Sequence, residues 1–139
     1  MPFSTIKLYT DGGARGNPGP AAIGIVICDD KDNIIEEFSD FIGIATNNEA
    51  EYSALIKGLN LAAKYSREEL ICYLDSELLV RQMTGEYKVK NERLRKLYNN
   101  VRDLEGEFRA VTYKHMRRMS GHLARADKLL NVSLDRHLP

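Results

Sequence analysis

The sequence predicts an α/β fold, a mixed β-sheet with helices packed against it. Three observations predict it: short β-rich apolar runs before Asn47, a change to helical apolar spacing from Asn47 onward, and alternation of strand-like and helical segments after that. Residues 5–9 alternate and are β-rich, and the run breaks at Asp11-Gly12-Gly13. Residues 21–28 form a second apolar run and 34–44 a looser third; short polar or Gly/Pro turns between them predict antiparallel hairpins. Tyr52, Leu55, Ile56, Leu59, Ala62 and Ala63 then fall on one helix face. Residues 70–74 read as a buried strand ending at Asp75, and 76–83 as a short helix stopped at Gly85. Leu94, Leu97, Tyr98, Val101 and Leu104 mark another amphipathic helix, followed by a fifth strand over 108–116 and a last helix over 124–134. Three strands, helix, strand, helices, strand, helix require a parallel crossover within a mixed sheet.

At 139 residues the chain suits a single domain, 1–139, and a domain of this size buries roughly two-thirds of its unfolded surface without needing a covalent staple. Lys plus Arg and Asp plus Glu are 20 each, so net charge points to no partner; a duplex would meet one face, not the total. Cys28 and Cys72 both lie in apolar strand-like runs, which fits buried free thiols in a reducing compartment. The opening Met1-Pro2-Phe3-Ser4-Thr5 lacks the basic and apolar regions of a signal peptide, and no run approaches the ~18 apolar residues of a membrane span. A cytoplasmic protein with no membrane partner is the expectation.

Acidic residues at element ends are the informative feature. Asp11 follows the first strand, directly before two glycines that allow a partner to approach the backbone closely. Asp75 ends the fourth strand, and if those strands are parallel neighbours the two carboxylates share the sheet edge where α/β proteins bind ligands. Glu51 lies early in the first long helix and Asp127 in the first turn of the last. Singly, each fits a turn or a helix-dipole role. Together, hard oxygen donors from several elements are what Mg²⁺ requires.

Longer blocks carry a resemblance. Tyr9-Thr10-Asp11-Gly12-Gly13-Ala14-Arg15-Gly16-Asn17-Pro18-Gly19-Pro20 resembles the opening signature of type 1 ribonucleases H. Thr46-Asn47-Asn48-Glu49-Ala50-Glu51-Tyr52 resembles that family's second block, Leu74-Asp75-Ser76-Glu77-Leu78-Leu79-Val80 its third, and Ala126-Asp127 its short fourth. The blocks occur in order from Ile6 to Leu134. The resemblance implies a ribonuclease H-like sheet of five strands in the order 3-2-1-4-5, flanked by helices. It implies a monomeric enzyme that cleaves the RNA strand of RNA–DNA hybrids with two Mg²⁺ (or Mn²⁺) ions, leaving 5′-phosphate and 3′-hydroxyl. Asp11 would bridge the metals, Glu51 and Asp75 would complete the leaving-group site, and Asp127 would hold the ion serving the attacking water.

By the same resemblance Asn17, Asn47 and Glu77 would contact the RNA strand in the minor groove, and Thr46 and Asn91 a DNA phosphate. Their other reading is turn chemistry and helix capping, which suits Asn47 well. His122, in the Ser120-Gly121-His122 segment, is the expected loop histidine for proton transfer or product release; His115 and His137 have structural positions.

The pattern departs from many relatives in three places. Only residues 85–91 stand where a long basic protrusion is common, Glu77 replaces a Gln, and the residue before Asp127 is not Asn. A hybrid-binding module without catalysis and another nuclease on the same fold are the alternatives, separated by cleavage with and without EDTA and by a DNA-duplex control.

Overall fold

A computed structural model describes residues 3–138. Its elements are β1 (Thr5–Ala14), β2 (Gly19–Cys28), β3 (Ile34–Ala45), α1 (Asn47–Ala62), β4 (Glu69–Leu74), α2 (Glu77–Met83), α3 (Glu92–Glu105), β5 (Ala110–His115) and α4 (Gly121–His137). The sheet order is β3-β2-β1-β4-β5, as expected. The β1–β2 and β2–β3 pairs are antiparallel hairpins, while β4 runs parallel to both β1 and β5. No helix among the described residues is long and apolar enough to cross a membrane.

Strand alternation divides the core in two. Ile6, Leu8, Ile23, Ile25, Ile27, Leu70, Cys72 and Leu74 face α1 and α3, meeting Tyr52, Leu55, Leu59 and Val101. Tyr9, Val26 and Cys28 face the other way, against Leu123 and Ala126 of α4, and Ala22 packs on Leu130 and Leu134. Both cysteines are buried and free. The apolar face read from α1 is the buried one at Tyr52, Leu55, Leu59 and Ala62, with Ile56 and Ala63 at its margin.

Local chemistry sets the helix starts. Thr46 caps α1 in a complete capping box: its side chain accepts from the Glu49 N–H, and the Glu49 carboxylate accepts from the Thr46 N–H. The cap is therefore Thr46, and Asn47 is the first helical residue. Ser76 caps α2, Asn91 caps α3, and Thr84 closes α2 directly before Gly85.

Several boundaries shift by a few residues, among them the start of β2 and both ends of β5, and two of the shifts bear on the acidic residues. The first strand does not break at Asp11; β1 continues to Ala14, paired with β2 through Asp11↔Gly24, Gly12↔Ile23 and Gly13↔Ala22. The glycines admit helices of this same chain, packed against the sheet. A Cβ at Gly12 would lie 2.2 Å from the Ala50 carbonyl oxygen of α1, and one at Gly24 would lie 1.9 Å from the Ala126 carbonyl oxygen of α4. The last helix begins at Gly121, not 124, which moves Asp127 from its first turn to its second.

Because β2 and α4 touch backbone to backbone at Gly24, Gly24→Ala is expected to cost about 3 kcal/mol or more, the upper end for overpacking. Gly13→Ala, whose new methyl would meet only Leu130 Cδ1 at 3.6 Å, is expected to stay within about 1 kcal/mol. Urea unfolding of both variants without divalent metal checks the contrast.

Candidate active site

The parallel ladder between β1 and β4 ends at Tyr9↔Tyr73. Beyond it β1 follows β2 alone, while the chain leaves β4 at Leu74 and turns into α2 under the Ser76 cap, whose hydroxyl accepts from the Leu79 N–H at 3.2 Å. Asp11 and Asp75 stand where the two strands part. Close packing at Gly12 brings in α1, so that Glu51 Oε1 accepts from the Gly12 N–H at 2.9 Å. One carboxylate oxygen each from Asp11, Glu51 and Asp75 lie within 4.8 Å of one another.

These acids are buried to an unusual degree. Asp11 is 1% exposed and Glu51 6%, and both Asp11 oxygens, Glu51 Oε2 and Asp75 Oδ1 are buried without a hydrogen-bond partner. A buried polar atom left unpaired costs about 1–3 kcal/mol, more when charged. Burial pushes the Asp11 carboxyl far above the usual carboxylate range, with the charges of Glu51 and Asp75 pushing the same way. Burial also raises Glu51, Asp75 adds to it, and the Gly12 N–H and Arg118 oppose it. Several orphaned hard oxygens at one point form the donor set that a hard divalent cation satisfies.

Arg118, which sequence reasoning missed, supplies the local counter-charge. Its Nε lies 2.6 Å from Asp75 Oδ2 and 3.9 Å from both Asp11 Oδ2 and Asp127 Oδ1. Burial works against its charge, and the three carboxylates more than offset that. The signal was the Arg117-Arg118 pair just past the end of β5, beside the expected acidic edge. Asp127, in the second turn of α4, lies outside the cluster of three carboxylates but faces the same cavity. With Asp11, Glu51, Asp75, Asn47, Arg15 and Arg118 it lines one open cavity of about 480 Å³.

The remaining predicted residues divide. Asn17 Oδ1 accepts from the Asn47 N–H at 3.0 Å, and Asn47 Oδ1 from the Ala14 N–H at 2.9 Å, which ties the β1–β2 loop to the start of α1. Asn17, Thr46 and Asn91 line a second groove of about 410 Å³ together with Arg93. Glu77 is exposed and paired with Arg81 at 2.7 Å. His122 is not brought to the carboxylates and does not line their cavity. Because α4 starts at Gly121, His122 is helical, its Nε2 3.0 Å from the Asp32 carbonyl oxygen and its ring edge-on to Tyr9. His115, expected to be structural, is exposed at the end of β5 with Nε2 3.2 Å from the Asp75 carbonyl oxygen.

Comparison with known proteins places this geometry in a family. The family described as "Reverse transcriptase-like" matches residues 9–126. The bifunctional protein Rv2228c of Mycobacterium tuberculosis is 41% identical over 131 residues, which is 94% of this chain and 35% of that protein. This chain thus spans about a third of that relative's length. The crystal structure of RNase H1 from Halobacterium salinarum superposes with a TM-score of 0.90 at 39% identity, covering 95% of this chain and 98% of that one. LC11-RNase H1, solved in complex with an RNA/DNA hybrid, gives 0.89 at 44% identity, covering 96% and 99%. With the same strand order, and the four acidic blocks in place along a matched length of this extent, the chain belongs to the type 1 ribonuclease H family.

Proposed function

We propose that this chain hydrolyses the RNA strand of RNA–DNA hybrids, leaving 5′-phosphate and 3′-hydroxyl ends. The observation that carries the reading is the convergence of Asp11, Glu51 and Asp75, with orphaned oxygens, in a cavity that Asp127 also lines. Asp11, Glu51, Asp75 and Asp127 would hold Mg²⁺ or Mn²⁺, two ions with substrate present, to activate the attacking water and stabilise charge on the leaving oxygen. The protein's own contribution is then positioning and charge, with little side-chain acid–base chemistry.

Arg118 takes the place near the acids that the sequence reading gave to His122. It neutralises the carboxylates before substrate arrives and is placed to meet a phosphate drawn into the cavity. The binding residues need not choose between capping and recognition. Asn17, Asn47 and Asn91 spend their carbonyl oxygens on backbone N–H groups, which leaves each side-chain NH₂ free to donate. Asn17 and Asn47 would donate to 2′-hydroxyl or base acceptors in the minor groove, and the Glu77 carboxylate would accept from a 2′-hydroxyl. Thr46 and Asn91, with the Arg93 guanidinium in the same groove, would hold a DNA phosphate. One copy of the chain carries the whole constellation, which supports a monomeric enzyme.

On a denaturing gel, the RNA of a hybrid is expected to be cut with Mg²⁺ or Mn²⁺ and to survive in EDTA, while an all-DNA duplex survives in both. Hybrid binding without cutting would instead indicate a binding module, and efficient cutting of the DNA duplex a general nuclease.

Asp11→Asn is expected to abolish cleavage without unfolding the protein. The stability effect has a definite sign. A carboxyl whose pKa is raised by folding destabilises the metal-free protein at pH above its unfolded value, increasingly so up to its folded value. Removing that charge should therefore raise the metal-free Tm at pH 8 and leave it nearly unchanged near pH 4, where ordinary carboxyls begin to protonate. Melting curves at both pH values measure this.

Arg118→Ala is expected to lower kcat by up to about 100-fold, the loss for one aimed positive donor. The Mg²⁺ concentration for half-maximal activity should fall, because the guanidinium no longer competes for Asp75. A metal titration of both proteins reads both effects.

A further inference from the structure

On the α4 face of the sheet, near the β2–β3 turn, lies a second group of metal-type donors. Cys28 ends β2, Asp32 lies in the turn that follows, and His122 lies in the first turn of α4. A sulfur, a carboxylate oxygen and a ring nitrogen from these three lie within 4.8 Å of one another. None of them lines the cavity described above. We propose that Cys28, Asp32 and His122 form a site for a zinc-class transition-metal ion that clamps the start of α4 to the β2–β3 hairpin.

The donor chemistry selects the ion. A thiolate, an imidazole and a carboxylate are the ligands of Zn²⁺ and related borderline-soft cations, whereas Mg²⁺ takes oxygen donors. Tetrahedral zinc bonds of about 2.0–2.3 Å put ligand atoms roughly 3.3–3.8 Å apart, so donors already within 4.8 Å of one another need to close by no more than about 1.5 Å. The surroundings leave room for this. Cys28 is wholly buried, but the Asp32 side chain is 47% exposed, which opens one side of the site to a water as fourth ligand.

The neighbours hold the donors in place. Tyr9 donates its hydroxyl to Asp32 Oδ1 at 2.5 Å, and the Tyr9 ring packs edge-on against His122. Asp32 is the one non-glycine residue with positive φ, 64°, among those described. That backbone is held within a turn in which Asp29 Oδ1 accepts from the Lys31 and Asn33 N–H groups. Lys7 Nζ lies 3.4 Å from Asp32 Oδ2 and, among the described residues, is the one ion-pair partner that the metal must displace or share. On binding, the Cys28 thiol gives its proton to solvent and the sulfur coordinates as thiolate; no oxidation state changes.

The clamp has a structural consequence. His122 lies five residues before Asp127 on the same helix, so fixing the first turn of α4 fixes the approach of Asp127 to the other carboxylates. The ion would thus be structural, and remote from the chemistry.

Cobalt(II) is the probe, with excess Mg²⁺ present to occupy the carboxylate cavity. Chelator-stripped protein is expected to take up one equivalent of Co²⁺, with a sulfur-to-cobalt charge-transfer band in the near ultraviolet and the intense visible bands of a tetrahedral ion. One equivalent of Zn²⁺ should abolish both and raise the Tm. His122→Ala should weaken Co²⁺ binding by at least about 100-fold, Cys28→Ser should remove the charge-transfer band, and Asp11→Asn should keep both features. Absence of the sulfur band in the wild-type protein would overturn the site, as would its persistence in Cys28→Ser. Should Cys28→Ser fail to fold, His122→Ala decides alone: a change in affinity below tenfold overturns the proposal.

Discussion

Burial of neighbouring carboxylates, with the like-charge repulsion it sharpens, is the constraint around which this molecule is organised. Asp11 is almost completely inside the protein, and neither of its oxygens has a hydrogen-bond partner. Glu51 and Asp75 approach it closely enough for a single cation to touch all three. In a low-dielectric interior such an arrangement opposes folding, so other interactions must hold it. They are the β1–β2 ladder, which extends past the end of the parallel ladder to Ala14↔Ala21, and the capping box that fixes the start of α1. The apolar contacts of α1 and α3 with the sheet complete the set. The strain is local, and the support is distributed.

Gly12 and Gly24 transmit that support. They sit on adjacent strands, each at a point where a helix carbonyl comes within what would be a side chain's first atom. Through Gly12, α1 reaches the strand and delivers Glu51; through Gly24, α4 reaches the sheet and brings Asp127 toward the same cavity. A larger residue at either position would push an acid-bearing helix outward by about the thickness of a methyl group. The acids lining the cavity would then be drawn apart. Backbone packing and site chemistry are therefore one problem in this fold.

Arg118 completes the electrostatics from a loop. Its side chain is more than half exposed, while the Asp75 carboxylate it pairs with is largely buried, so the counter-charge comes from the solvent side of the site. On the rim of the site Thr46 and Asn91 cap helices with one set of atoms and keep their remaining donors available.

Much of this was legible in the residues. Alternation in the first three strands, the helical period after Asn47 and the later alternation of strands and helices gave the element order, because burial of one face imposes those periods directly. The four acidic blocks could be read because each is a local string. What could not be read depends on contacts between distant segments. The continuation of β1 through Asp11-Gly12-Gly13 looked like a break, since glycine signals a turn as readily as close packing; only the approach of α1 and α4 decides which. The start of α4 at Gly121 places Asp127 in a second turn and His122 in the helix, away from the acids' cavity, while Arg118 lies beside the acids. The sequence by itself determined the strand and helix periods, the fold class and the identity of the carboxylates, because those are properties of local pattern. The tertiary structure alone decided which oxygens converge, which cation faces them and where each histidine lies, because these follow from how helices pack on the sheet across long separations in the chain.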